Sequence, residues 1–110
     1  MSAVTDELEA LRAALTRGEE PPAGAGVEVV RRAGGELDHV RVTLAAPVDL
    51  EELTRRFGPP SLLPRTPAGG RRALFAETSP GDGGRATTVL AELDPAGRAQ
   101  VVVLRPDDLR

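Results

Sequence analysis

The chain has no cysteine, lysine, isoleucine, asparagine, tyrosine or tryptophan, and only one histidine and two phenylalanines. Each gap removes a class of function. Without cysteine there is no disulfide framework and no thiolate metal site. His39 is the single imidazole, so a metal centre built from His and Cys is out, and the carboxylates show no calcium-loop spacing. The scarcity of aromatic rings withdraws the stacking platforms that hold single-stranded nucleic acid. The net charge of −3 lacks the basic footprint of a nucleic-acid binder. With aromatic and amide side chains so rare, few groups exist to orient a small molecule, and no cofactor is expected. No apolar run approaches the roughly 18 residues of a membrane span. The acidic beginning lacks a positive-then-apolar leader pattern, so the expectation is a cytoplasmic protein without metal, nucleic acid or membrane partners.

What is present is a bias toward Ala, Gly, Pro and Arg, as a GC-rich bacterial genome produces. All fourteen basic residues are Arg. Arg in place of Lys is therefore no sign of phosphate recognition. A length of 110 residues allows one domain with one modest core.

The best-specified stretch is 48–60. Asp49 is placed to cap a helix, with Glu52 three residues on as the capping-box partner. Val48 and Leu53 fit a hydrophobic staple. Glu51 and Glu52 lie at the positive end of the helix dipole, Arg55 and Arg56 at the negative end. Gly58 is expected in the left-handed C′ position, and Pro59 and Pro60 forbid continuation. Leu50, Leu53 and Phe57 share one face, with Phe57 the expected anchor. Two turns of helix are unstable alone, so this one must dock.

Residues 5–17 read as another helix, with Val4, Leu8, Leu11 and Leu15 on a narrow apolar stripe. Thr5 or Asp6 can cap it, and Gly18 ends it. The stripe either packs on a sheet or pairs with a second copy. Residues 19–26 form a loop around Pro21 and Pro22. Strands follow at 27–32 and 37–45, joined through Gly34 and Gly35 as a hairpin. In the second of them Val40, Val42 and Leu44 point one way, and His39, Arg41 and Thr43 the other. After the central helix, residues 59–72 read as a loop, with Leu62 and Leu63 tucked against the core. Strands are then expected at 73–78, 85–93 and 98–105. The turn from Ser79 to Gly84 separates the first two, a type I turn at Asp94–Gly97 joins the last two, and Pro106 stops the last.

The fold class that follows is α+β: helix-β-β-helix-β-β-β, a mainly antiparallel sheet with two helices packed on one face. The central helix would be a hinge between a two-stranded and a three-stranded unit. Pairing Asp94 with Arg98 fixes the register of the last hairpin. Continued without interruption, it puts Val89, Ala91, Leu93, Ala99, Val101 and Val103 on the core face. Thr88, Leu90, Glu92, Gln100, Val102 and Leu104 fall on the other. That second face is too apolar to meet water, so either the fold or another chain covers it. Leu90, Val102 and Leu104, with Leu8, Leu11 and Leu15 of the first helix, are thus the candidate interface.

Candidate chemistry is sparse. Asp38 and His39 are neighbours on a strand, so alternation sends them to opposite faces, and His39 reads as a solvent-facing residue. Ser2, Ser61 and Ser79 are the only serines, and none has a Gly-x-Ser-x-Gly frame. Ala68-Gly69-Gly70-Arg71-Arg72 invites a phosphate-loop reading, but no Lys-Ser/Thr follows and a strand comes next. Arg55, Arg56, Arg65, Arg71 and Arg72 form a candidate anion patch. Glu77 and Glu92 near strand ends are ordinary surface carboxylates.

The string Arg56-Phe57-Gly58-Pro59-Pro60, ending a helix ahead of a loop and antiparallel strands, resembles the core of small αβ modules. These occur in BamE-type outer-membrane assembly lipoproteins and in β-lactamase-inhibitor-like proteins. The resemblance spans 48–104 and rests on Gly58 and Pro60. It implies a non-catalytic binding module. The chain departs from it in having no lipoprotein signal and no cysteine for lipid attachment, so envelope localisation is not implied. The function expected is a non-enzymatic protein-interaction module, homodimeric or bound to a protein partner. The alternatives are an immunity- or inhibitor-type protein and an anion-binding regulatory domain using the loop arginines.

Overall fold

The computed structural model describes residues 3–16, 19, 26–75 and 85–108. The elements run α1 (Ala3–Thr16), β1 (Val27–Arg31), β2 (Leu37–Asp49), α2 (Leu50–Phe57), β3 (Ser61–Leu62), β4 (Arg71–Phe75), β5 (Arg85–Leu93) and β6 (Arg98–Asp108). The expected stop at Gly18, the Pro21–Pro22 loop, Glu77, the turn from Ser79 and residues 109–110 lie outside the described residues. So do the side chains of Thr5 and Asp6.

The six strands form one antiparallel sheet in the order β1-β2-β6-β5-β4-β3. The architecture is α+β, with both helices contributing to a core on one face of this sheet. The expected hinge is corrected: β2 pairs with β6, so the two hairpins join one sheet and α2 divides nothing. A two-residue strand, β3, appears where a loop was expected, because Ser61 and Leu62 reach back to pair with Leu74 and Ala73. Leu62 is exposed rather than tucked in.

The core collects Val40, Val42, Leu44 and Val48 of β2, Val89, Ala91 and Leu93 of β5, and Ala99, Val102 and Leu104 of β6. Ala73 and Phe75 of β4 join them, and Leu8, Leu11, Leu15 and Leu53 close the cluster from the helices. Each fully buried aliphatic side chain contributes about 1.5–3 kcal/mol. The one buried polar side chain among the described residues is Thr87 on β5. Its hydroxyl lies 2.9 Å from that of Thr16, which donates to the carbonyl of Arg12 at 2.9 Å. A burial cost is thus met by the end of α1.

The start of α2 differs from the capping-box expectation. Asp49 has the extended backbone of a cap residue, but its side chain makes no capping bond. Asp49 Oδ1 lies instead 3.3 Å from Arg98 Nε, and the Leu50 N–H donates to the Gly97 carbonyl at 3.1 Å. A neighbouring turn does the work of the cap. The helix stops at Gly58, whose N–H reaches the Thr54 carbonyl at 2.9 Å, but the expected left-handed conformation is corrected: φ is +93° with an extended ψ of −178°. Leu53 is the fully buried anchor of α2. Phe57 is half-buried, its ring 5.9 Å from that of Phe75, with the Arg12 guanidinium 5.2 Å above it.

The β5–β6 turn forms as the sequence specifies. Asp94 Oδ1 accepts from the N–H groups of Ala96 and Arg98, and Gly97 takes a positive φ of 83°. β6 runs past Pro106, which pairs with Thr87 on the β5 side only. Its pairing with β2 has ended at Leu104, so the missing N–H costs no ladder bond. No helix among the described residues is long and apolar enough to cross a membrane.

Candidate docking face

The side chains that β6 turns outward are set by one residue. Next to the turn, Leu93 pairs with Ala99, in the expected register. Then Glu92 pairs with Val101, leaving Gln100 as an extra residue on β6. A bulge of one residue sends all later side chains to the opposite face. Beyond it Leu90 lies opposite Val103, Ala91 opposite Val102 and Val89 opposite Leu104.

The candidate interface is corrected accordingly. Val102 and Leu104 are buried in the core, as are Leu8, Leu11 and Leu15 of α1. Only Leu90 of that group faces outward. Sequence reasoning missed its neighbours, Leu74, Val101 and Val103. The segment Val101–Leu104 is apolar on both parities, so alternation alone does not orient it. The usable signal is size, because Val102 and Leu104 offer the core more volume than Val101 and Val103.

The outer face carries an apolar row, Leu74, Leu90 and Val103, on three adjacent strands, continued by Arg41 on β2 and Glu28 on β1. Val101 lies one row away, between Glu92 and Thr43. The four apolar side chains are half-buried. Charge borders them: Arg41 Nη1 lies 3.4 Å from Glu92 Oε2, Arg72 pairs with Glu92 in register, and Arg105 lies opposite Thr88. Both helices contribute their buried side chains to the other face.

One corner of this face holds a polar cluster that also corrects an expectation. Asp38 and His39 are on the same side, with His39 Nδ1 donating to Asp38 Oδ2 at 2.5 Å. The cause is a second bulge. Val30 pairs with His39 and Arg31 with Leu37, so Asp38 is the extra residue and alternation fails there. Arg32 Nε donates to Asp38 Oδ1 at 3.1 Å. The hydrogen bonds from His39 and Arg32, with the nearby Arg105 charge, hold the Asp38 carboxyl below its ordinary value of 3.8. The pair has the base-and-orienter arrangement of a hydrolytic triad. Asp38 is the hydrogen-bond partner of His39, and Ser61 sits on β3, at the far edge of the sheet.

The five candidate anion ligands come from α2, the loop before β4, and β4. Arg71 and Arg72 are consecutive on β4 and face opposite sides of the sheet. Arg56 Nη1 is bonded to Glu9 Oε2 at 2.8 Å, tying α2 to α1. Arg55 is exposed beside it. The end of α2 meets β4 at Phe75, four residues and about 13 Å along the strand from Arg71. Arg65 bonds the Gly69 carbonyl at 3.2 Å within the loop before β4. Arg71 Nε and Glu52 Oε2 are shielded from solvent without a hydrogen-bond partner.

Comparison with protein-family models, with curated proteins and with solved structures finds no match.

Proposed function

We propose that this chain is a non-enzymatic protein-interaction module that docks through the outer face of its sheet. The observation that carries the reading is the row Leu74–Leu90–Val103 with Val101, on the face away from both helices and bordered by Arg41, Arg72, Glu92 and Arg105. An apolar centre within a polar, charged rim is the usual make-up of a protein interface. Contiguous apolar surface on a sheet face marks a contact site.

The test compares the wild type with the double variant Leu90→Asp/Val103→Asp, by cross-linking of the purified chain and by affinity capture from its own cells. The wild type is expected to hold a partner, either a second copy or a different protein, that the variant loses with its far-UV circular dichroism unchanged. A wild type with no partner in either assay, or one that keeps its partner in the folded variant, rejects the reading.

A further inference from the structure

Among the described side chains, the β5–β6 hairpin presents three cross-strand pairs on the outer face: Thr88 with Arg105, Leu90 with Val103, and Glu92 with Val101. Strands lie about 4.8 Å apart and successive same-face residues about 6.7 Å apart, so these six make a flat rectangular tile. Leu90 and Val103 occupy its centre. Glu92 and Arg105 occupy diagonally opposite corners, one row either side of that centre.

We propose that the occupant of this face is a second copy of the chain, related by a two-fold axis that lies in the interface and passes between Leu90 and Val103. The inference rests on the outer face being a docking surface. Its own argument is the charge layout of the tile. A two-fold axis lying perpendicular to the Glu92–Arg105 diagonal sets Glu92 of each copy on Arg105 of the other. It sets Leu90 on Leu90 and Val103 on Val103, joining apolar to apolar. Isologous contact requires such self-complementarity, since one patch must serve both sides. A partner of uniform charge would meet one favourable and one unfavourable corner. The Arg41–Glu92 contact within the chain, at 3.4 Å, has both side chains more than 40% exposed and so competes weakly.

The symmetry gives a decisive experiment. Sedimentation equilibrium is expected to show a wild-type dimer. Glu92→Arg places Arg against Arg at both contacts, and Arg105→Glu places Glu against Glu. Each single variant is expected to weaken self-association by about tenfold or more. An equimolar mixture of the two is expected to regain dimer mass, because in the mixed pair both contacts join opposite charges. The double variant Glu92→Arg/Arg105→Glu regains it alone. A monomeric wild type, single variants that dimerise like the wild type, or a mixture that stays monomeric each overturn the proposal. A monomeric wild type with a different protein lost on Leu90→Asp/Val103→Asp overturns the second copy but keeps the docking face. A monomer with no face-dependent partner removes both.

Discussion

At Gly26 the chain leaves no room for a side chain. A Cβ there would lie 2.4 Å from the Thr43 carbonyl oxygen, and φ is +78°. The same carbonyl-rich contact is bonded in the other direction, Thr43 N–H to the Gly26 carbonyl at 2.8 Å. Gly58 has a positive φ of 93° as well, but nothing lies within 4 Å of its Cβ position. Gly58→Ala is therefore expected to cost backbone strain alone, about 1–3 kcal/mol. Gly26→Ala is expected to cost more, because clash is added to strain and a strand-entry bond is disturbed. Urea titrations followed by far-UV circular dichroism rank the two; the chain has no Trp or Tyr to report by fluorescence. A second expectation concerns Asp38. Its carboxyl is held below 3.8 in the folded chain, first by His39 and then by Arg32. The carboxylate therefore supports the fold at pH above its unfolded value, and that support is lost as pH falls through the lower folded value. A carbon-detected titration should place the Asp38 midpoint under 3.8. The stability gap between wild type and Asp38→Asn should close as pH drops below that point. A gap that widens on acidification would contradict the assignment.

Among the elements, β6 shows what a single extra residue controls. Alternation read from Asp94 and Arg98 is right at Leu93–Ala99 and reversed from Val101 onward. The turn was legible because its signals are local: an Asp to accept two N–H groups and a Gly at positive φ. The bulge was not, because Gln100 sits in a run where either parity is apolar. Only the match to Val40 and Val42 of β2, distant in sequence, decides which set turns inward. The same limit applies at α2. Its span and its Gly58 stop follow from local chemistry, whereas its cap comes from the Gly97 carbonyl across the sheet, which no local pattern announces. At Asp38 a bulge again defeats alternation and joins two side chains expected apart. The register makes a sharp prediction for neighbouring residues. Val102→Asp buries an unpaired carboxylate in the core and should abolish cooperative unfolding near neutral pH. Val103→Asp places the same charge on the outer face and should leave far-UV circular dichroism and amide-exchange protection near wild type. The uninterrupted register predicts the reverse, so the pair of variants reads the bulge directly.

On the scale of the whole molecule, the question is whether α1 belongs to the fold or to an interface. Its stripe of Leu8, Leu11 and Leu15 was compatible with both, since a narrow apolar stripe suits a sheet and a second helix equally. The structure places all three in the core with Val89 of β5, Leu104 of β6 and Val40 of β2. Further ties hold the helix. Thr87 and Thr16 share a partly buried hydroxyl contact at 2.9 Å, and Glu9 binds Arg56 of α2 at 2.8 Å. Arg12 stands over the Phe57 ring, which in turn meets Phe75. Removing α1 would open the centre of the inner face and leave Thr87 without its partner, exposing a second apolar surface larger than the outer row. Single truncations such as Leu8→Ala should cost about 2–5 kcal/mol. Deleting residues 1–16 should remove the cooperative transition altogether, because a small domain has stability of only about 5–15 kcal/mol to lose. The readout is a heteronuclear amide spectrum of the deleted chain. Collapse to narrow, unfolded dispersion is the expected result. A well-dispersed spectrum for 17–110 would instead make α1 a separable arm, and the free inner face, rather than the outer row at Leu90, would become the surface through which the sheet finds its partner.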